Sequence, residues 1–172
     1  MLFRSLDKLF TGKNGKSAAA ARPLSDLVFP IAVFEDEELE AQQAQLQLTE
    51  NVQPAIGGIS AGLLRIARDA GLQIDFAAGH SFGELTALWA AGVIAEDDYY
   101  KLAYARGQAM AAPDDPDFDA GSMLAVMGEV EKLEADLTEF PDVVMANLNS
   151  KKQVVLAGPT ADILQAHDAL KV

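Results

Sequence analysis

Residues 54–92 carry the pattern that most constrains what this chain can fold into. Five apolar residues recur at helical spacing: Ile56, Ile59, Leu63, Ile66 and Ala70. A helix is therefore predicted, with Pro54 in its first turn and Gly71 just past its end. A short apolar run, 73–79, then ends in glycine as a buried strand would, and helical spacing resumes over 85–92. The order helix, strand, tight turn, helix predicts an α/β fold with a parallel sheet.

The tight turn between the predicted strand and helix reads Gly79-His80-Ser81-Phe82-Gly83 and matches the Gly-x-Ser-x-Gly nucleophile elbow. In such an elbow the serine sits on a strained turn, and flanking glycines let neighbouring backbone pass closely. The next helix points its N-terminus at the reacting centre and stabilises developing negative charge. Ser81 is therefore the predicted nucleophile, and the N–H of Phe82 the predicted oxyanion donor. The alternative, that Ser81 only caps the next helix, is disfavoured because both flanking elements are predicted.

The sequence contains two histidines, His80 and His167. A serine nucleophile needs a base that accepts its proton. Neighbours on a strand point to opposite faces, so we predict that His80 packs, hydrogen-bonds or touches substrate at the elbow and is not the base. His167 is predicted to be an exposed histidine on the last helix.

The final third of the chain predicts a different kind of unit. Three strands and two helices are predicted, in the order strand, helix, strand, strand, helix: Ser122–Met127, Val130–Phe140, Val143–Asn147, Gln153–Ala157 and Thr160–Leu170. This β-α-β-β-α order is that of a ferredoxin-like unit without its last strand, and it indicates that the chain is cut. We therefore predict a basic tail and linker over 1–22, part of a large α/β subdomain over 23–120 and a small ferredoxin-like subdomain over 121–172.

Composition excludes several classes of protein. The net charge of −13 disfavours a nucleic-acid partner, and five of the 13 basic residues lie in the first 22. That basic start could be a transit peptide, but an amphipathic helix with a flexible linker is the simpler interpretation. Without cysteine, and with two histidines, neither disulfides nor a multi-histidine metal site is expected. No apolar run is long enough to span a membrane, so a cytoplasmic location is expected.

These motifs together resemble the malonyl-CoA:acyl carrier protein transacylases, which include acyltransferase domains of fatty acid, polyketide and polyunsaturated fatty acid synthases. The elbow followed by Glu84-Leu85 and Ala90-Ala91-Gly92-Val93 carries the resemblance. Further segments agree in order and spacing: Gln53-Pro54-Ala55-Ile56, Arg106-Gly107 with Met110, Gly121–Val126, and Asn147-Leu148-Asn149-Ser150 with Gln153-Val154-Val155 and Gly158. The resemblance covers residues 23–172 and is closest to the polyunsaturated fatty acid synthase type.

The resemblance implies an α/β-hydrolase-like core with a parallel sheet and a ferredoxin-like subdomain, both incomplete in this chain. It implies malonyl-CoA and an acyl carrier protein as partners, other domains of a multidomain synthase around it, and no cofactor. Arg106 is implied to bind the malonyl carboxylate, because a planar guanidinium can grip it with two parallel hydrogen bonds. Asn149 is implied to line the site. A surface ion pair of Arg106 with Asp97, Asp98 or another acid is the plainer alternative.

Two parts of the family's machinery have no counterpart in this sequence. The glutamine of a Gly-rich loop near the domain's start is not reproduced by Gly12-Lys13-Asn14-Gly15-Lys16. The base histidine is expected beyond the ferredoxin-like unit, after Val172. We therefore expect the isolated chain to transfer acyl groups poorly or not at all. A serine esterase of the α/β-hydrolase class and a non-catalytic interaction module are the rival hypotheses.

Overall fold

The computed structural model describes residues 3–12, 22–113, 115 and 117–170. The chain divides into two compact units, Met1–Ala111 and Ala112–Val172. This boundary comes earlier than the one predicted after residue 120. Most of the predicted linker, including Lys13 and Lys16, lies outside the described residues.

Over its described residues the first unit consists of helices joined by loops. They are α1 (Arg4–Thr11), α2 (Leu24–Val28), α3 (Asp36–Gln47), α4 (Thr49–Asp69), α5 (Gly83–Ala90) and α6 (Glu96–Met110). The amphipathic helix predicted near the start is confirmed as α1. Phe3 and Leu6 are buried in the core, so this part of the predicted tail belongs to the first unit. Burying these two side chains supplies the hydrophobic contribution that holds α1 in place.

Tyr99 of α6 joins three helices in the core of the first unit. Its side chain is fully buried, and its ring stacks on Trp89 of α5 with the centroids 5.1 Å apart. Its hydroxyl donates to the carbonyl oxygen of Gly57 in α4 at 3.0 Å and lies 3.0 Å from Thr86 Oγ1. Burial raises the pKa of Tyr99, so the phenol remains a protonated donor. A buried hydroxyl with both partners in place fixes α4 and α5 against α6.

Helix α4 begins earlier than predicted and buries a different face. It starts at Thr49, with the N–H of Val52 donating to Leu48 O at 2.8 Å, so the predicted start at Pro54 was wrong. Proline usually occupies the first turn of a helix, but Pro54 lies inside α4, where its side chain is fully buried by packing. The apolar residues whose spacing predicted the helix are exposed, whereas small residues on the opposite face pack against the rest of the unit.

Close approach at two glycines explains which face of α4 is buried. A Cβ on Gly57 would lie 2.9 Å from the ring of Phe82, and one on Gly58 would lie 2.7 Å from the ring of Phe3. Only a residue without a side chain lets these two aromatic rings reach the helix backbone. Larger side chains on this face would hold the neighbouring helices apart.

The strand predicted over 73–79 is wrong for this structure. The segment is not a strand, and all its side chains except that of Ile74 are exposed. A strand needs a hydrogen-bonded neighbour, and the described part of the first unit contains no other strand. The predicted parallel sheet is therefore not formed within the described residues.

The second unit is a three-stranded antiparallel sheet packed against helices. Its elements are β1 (Ser122–Met127), α7 (Val130–Asp136), a 3₁₀ turn (Leu137–Glu139), β2 (Val144–Ser150), β3 (Gln153–Gly158) and α8 (Thr160–Leu170). The strand order is β1-β3-β2, with Leu124 opposite Leu156. Val154 and Leu156 are completely buried and pack with Ile163 of α8. The predicted β-α-β-β-α order of elements is confirmed.

Asp119 ties the loop before β1 to the start of α8. Its Oδ2 accepts a hydrogen bond from the N–H of Thr160 at 2.9 Å, and its Oδ1 accepts from Thr160 Oγ1 at 2.6 Å and from the N–H of Gly121 at 2.9 Å. A carboxylate in this position satisfies a free N–H at the start of the helix. These hydrogen bonds lower the pKa of Asp119 below its ordinary value of 3.8, with the Thr160 hydroxyl as the largest cause.

The lowered pKa predicts how the stability of the second unit depends on pH. Because the folded pKa lies below the unfolded one, the contribution of Asp119 is fully present above pH of about 4 and is lost as the pH falls through the folded pKa. Asp119→Asn should lower the melting temperature at neutral pH, and the difference from the parent should shrink below pH of about 4. Thermal melts across pH check this. Asp142→Asn, at an exposed aspartate of the same unit, is the control; a difference independent of pH would contradict the assignment.

Candidate active site

The turn around Ser81 has the strained backbone that a nucleophile elbow requires. Ser81 has a φ of 54°, and no other non-glycine residue in the described part of the chain has a positive φ. The N–H of Gly83 donates to His80 O at 3.0 Å, and that of Glu84 donates to Ser81 O at 3.2 Å. These two bonds close the turn and begin α5 directly behind the serine. Ser81 is exposed, so its hydroxyl is open to a substrate.

The two glycines of the motif differ in what they do. A Cβ on Gly79 would lie 2.1 Å from the backbone carbonyl carbon and oxygen of Gly83, a distance that no side chain tolerates. A Cβ on Gly83 would meet nothing within 4 Å. The sequence-based argument that both glycines allow a close backbone approach is therefore confirmed for Gly79 and wrong for Gly83.

Phe82 anchors the elbow to the core and leaves its N–H at the serine. Its side chain is buried, with the ring against Gly57 of α4. Within the described residues its N–H donates to no backbone carbonyl, whereas the three N–H groups that follow bond to His80, Ser81 and Phe82 carbonyls. No side chain caps α5, so the alternative in which Ser81 caps that helix is not what the structure shows. The N–H of Phe82, at the positive end of α5, is thus available to an incoming negative charge.

A cleft of about 460 Å³ opens beside the serine. Its walls come from α4, the segment before the elbow, the elbow itself and α5: Ile56, Ser60, Leu64, Ala77, Ala78, His80, Ser81, Phe82, Gly83, Thr86, Ala87 and Ala90. His80 therefore lines the same cleft as the predicted nucleophile. The lining is mostly apolar with few polar groups, as is usual for sites that bind small molecules.

Arg106 of α6 reaches the serine. Its Nη2 donates to Ser81 Oγ at 3.3 Å, and its Nη1 donates to Gln53 Oε1. Among the described residues Arg106 forms no ion pair with an acid; the nearby Asp98 pairs instead with Lys101 at 3.0 Å. The guanidinium next to the nucleophile is therefore not already paired with a carboxylate among the described residues and can bind an anion.

Gln53 is the residue of this site that the sequence interpretation did not assign. Its side chain is 7% exposed, and its Nε2 donates to Met110 Sδ at 3.4 Å and to Thr49 Oγ1 at 3.5 Å. These contacts turn the amide oxygen toward Arg106. The sequence gives no signal for this role, because only the structure shows that the amide is buried and needs a partner.

Removing the Gln53 side chain should leave the guanidinium of Arg106 less firmly positioned beside Ser81. A hydrogen bond to a charged group contributes about 1.5–3 kcal/mol, so we expect Gln53→Ala to weaken any carboxylate binding by Arg106 roughly tenfold or more. The loss of carboxylate binding is measured from the dependence of Ser81 acylation on malonyl-CoA concentration. Gln108→Ala, at an exposed glutamine of the same helix as Arg106, serves as the control. Equal concentration dependence in both variants would show that Gln53 does not position Arg106.

Two of the predicted residues lie in the second unit. Asn149 lies on β2 and is exposed, and its predicted place at the site stays a prediction. His167 is exposed on α8, as predicted, with its Nδ1 3.2 Å from Asp168 Oδ1. The structure therefore brings together Ser81, His80, Phe82 and Arg106 from the predicted set.

The described residues contain neither a metal-binding cluster nor a membrane-spanning helix. No group of three or more His, Cys, Asp or Glu side chains in that part of the chain is arranged to hold a metal ion. Likewise, none of the helices there is both long and apolar enough to cross a membrane.

Comparison with known sequences identifies a family. Residues 5–171 match the sequence pattern that defines the family "Acyl transferase domain". The chain is 38% identical over 129 residues to the malonyl CoA-acyl carrier protein transacylase of Synechocystis, a match covering 74% of this chain and 42% of that protein. It is 36% identical over 148 residues to one component of the polyunsaturated fatty acid synthase of Thraustochytrium, covering 86% of this chain and 5% of that protein.

A solved structure agrees with these matches. The crystal structure of acyl-carrier-protein-S-malonyltransferase from Bartonella henselae superimposes with a TM-score of 0.74 at 28% identity. The superposition covers 99% of this chain and 50% of that one. The chain therefore spans about half the length of the Synechocystis and Bartonella proteins and a small part of the Thraustochytrium one.

Proposed function

We propose that this chain, which belongs to the acyl transferase domain family, carries the nucleophile and the carboxylate-binding arginine for transfer of a malonyl-type group from coenzyme A to an acyl carrier protein. Its relatives bear the names of malonyl transacylases and of a polyunsaturated fatty acid synthase. We place the reaction in the cytoplasm, in fatty acid or polyketide synthesis, within a multidomain synthase.

The contact between Arg106 Nη2 and Ser81 Oγ carries the proposal. In a malonyl thioester a single methylene separates the free carboxylate from the carbonyl that is attacked. A group that binds the carboxylate must therefore lie a few ångströms from the nucleophile, as Arg106 does. Binding the carboxylate would hold the thioester carbonyl over Ser81 and replace a bimolecular encounter by an oriented one.

The proposed reaction has two displacement steps. Ser81 Oγ attacks the thioester carbonyl, a base accepts the hydroxyl proton, and coenzyme A leaves as a thiol after protonation, which gives a malonyl ester on Ser81. The phosphopantetheine thiol of the carrier protein then attacks that ester, and Ser81 recovers its proton. The N–H of Phe82 donates to the oxyanion in both tetrahedral intermediates, at the positive end of α5. No cofactor takes part.

We assign supporting roles to two further residues and expect slow transfer by the chain alone. His80, in the cleft, would contact the acyl group, and Asn149 would line the same site. His167, the other histidine of the sequence, is exposed on α8, and we expect the base to come from elsewhere in a complete domain. We expect the same of the second oxyanion donor. Losing one oxyanion donor alone costs about 10²–10³ in rate. In such a domain the first unit would form part of an α/β-hydrolase-like core, and the second a ferredoxin-like subdomain.

Acylation of Ser81 tests the proposal directly. Prolonged incubation with malonyl-CoA should add one malonyl group, and peptide mass spectrometry should place it on Ser81. Ser81→Ala should remain unmodified, and Ser60→Ala, which removes a hydroxyl from the α4 wall of the cleft, should be modified like the parent. A parent chain that stays unmodified would favour a non-catalytic interaction module.

A further inference from the structure

Helix α4 presents an apolar stripe to solvent. Ile56, Ile59, Leu63 and Ile66 are exposed by 38–68%. With 3.6 residues per turn, they fall within an arc of about 80° on one side of the helix. The other side is already packed in the core of the unit. A helix with apolar residues on both sides is typical of one enclosed in a larger core. The exposed stripe therefore lacks the neighbouring element that would normally pack on it.

The segment over residues 73–79 lacks a partner in the same region. Within the described residues, no backbone–backbone hydrogen bond involves this segment, and the side chain of Phe76 is 95% exposed. A short apolar segment with unpaired N–H and C=O groups is a template for pairing with a strand. It leads directly into the elbow, so whatever pairs with it would also hold Ser81.

The stripe and the segment belong to one continuous surface. Ile56 of α4 and Ala77 and Ala78 of the segment line the same cleft. A partner lying across this surface would add a strand beside 73–79 and apolar side chains over α4. The stripe consists of apolar residues, and Asp75 is the one charged residue of the segment, which fits a mostly apolar occupant.

We infer that this surface of the first unit binds the remaining half of an acyl transferase domain, presented as a separate or adjoining polypeptide segment. The unaligned length of the relatives supports this choice of partner. The Bartonella malonyltransferase aligns with 99% of this chain and still has half of its length left over. The inference depends on membership of the family and not on malonyl transfer, so each can fail without the other.

Co-expression tests the inference with the intact 172-residue chain. The chain, tagged, is co-expressed with the segments of the Synechocystis and the Bartonella enzymes that lie outside their alignment with it. We expect a one-to-one complex with at least one of them. We also expect slower amide hydrogen exchange at 73–79 in the complex than in the chain alone. Ser81→Ala should form the same complex, which separates binding from catalysis.

Three variants, each at an exposed position so that folding is preserved, define the surface. Leu63→Asp and Phe76→Asp should each lower the recovered complex at least tenfold, and Leu164→Asp, on the exposed side of α8, should leave it unchanged. Circular dichroism verifies that all three fold. No complex with either segment, or a complex that tolerates both aspartates, overturns the inference. Protection at 73–79 that arises with rising concentration of the chain alone would assign the surface to a second copy and overturn it equally.

Discussion

Replacing Gly79 by alanine is expected to abolish the elbow, although the change adds only one methyl group. The added Cβ would lie 2.1 Å from two backbone atoms of Gly83 and 2.4 Å from the backbone nitrogen of Glu84. Backbone atoms cannot rotate away as a side chain would, so the turn itself must open. A displacement of about 1 Å at a reacting group can lower a rate about 100-fold, and we expect at least that loss in Ser81 acylation.

The matched variant for this experiment is Gly83→Ala. Its Cβ would meet nothing within 4 Å, so near-ultraviolet circular dichroism and the melting temperature should equal those of the parent. Gly79→Ala should instead change the signal of Trp89, which lies on the helix that begins at the elbow. Equal spectra for the parent and Gly79→Ala, with equal acylation of Ser81, would contradict the steric role of Gly79.

Elements that depend on local sequence were predictable, and those that depend on a distant partner were not. The second unit illustrates the first case: the strand predicted over Ser122–Met127 and the helix over Thr160–Leu170 have those bounds in the structure. Alternation and helix-start residues lie within the segments themselves. The segment 73–79 illustrates the second case, because a strand exists only when another strand pairs with it.

The buried face of α4 shows a further limit of periodicity. The spacing of large apolar residues predicts a helix but not which side is buried when the opposite side carries glycine and alanine. Gly57 and Gly58 bury their side of the helix because Phe82 and Phe3 pack onto bare backbone. Such complementarity between small and large residues is a property of the assembled core, since the partners come from other elements.

Sequence reasoning named the central residues of the candidate site, whose roles stay predictions, but not the residue that supports them. The elbow motif identified Ser81, and the resemblance identified Arg106 as a residue to test; the structure places them 3.3 Å apart. Gln53 stands 53 positions from Arg106 in sequence, and its contact with the guanidinium has no local signature. A supporting residue of this kind is recognised by geometry, because its type alone does not distinguish it from a surface glutamine.

Arg106→Ala is the substitution that should change acyl selectivity most. If the guanidinium binds the malonyl carboxylate, its removal costs about 1.5–3 kcal/mol, as for other hydrogen bonds to charged groups. The ratio of malonyl to acetyl groups accepted by Ser81 should then fall about 10- to 150-fold, since about 1.4 kcal/mol corresponds to a factor of ten. Mass spectrometry of Ser81 after incubation with equal concentrations of the two coenzyme A thioesters measures this ratio.

Two further variants test whether the acyl selectivity depends on the positive charge at position 106 or on the planar geometry of the guanidinium. Arg106→Lys keeps the positive charge but loses the planar fork, so an intermediate ratio is expected. Lys101→Ala removes a cation from the same helix that pairs at the surface with Asp98, so it should leave the ratio unchanged. An intermediate Lys variant would show that the paired hydrogen bonds contribute beyond the charge alone.

The same measurement separates acyl transfer from its hydrolytic rival. A serine esterase needs the elbow but has no use for a cation beside its nucleophile, so its acyl preference would survive Arg106→Ala. Because the arginine lies against Ser81 Oγ, any anionic acyl group attacked there must meet it. An unchanged malonyl to acetyl ratio in Arg106→Ala would therefore exclude carboxylate binding by this residue and leave Ser81 as a nucleophile for neutral esters.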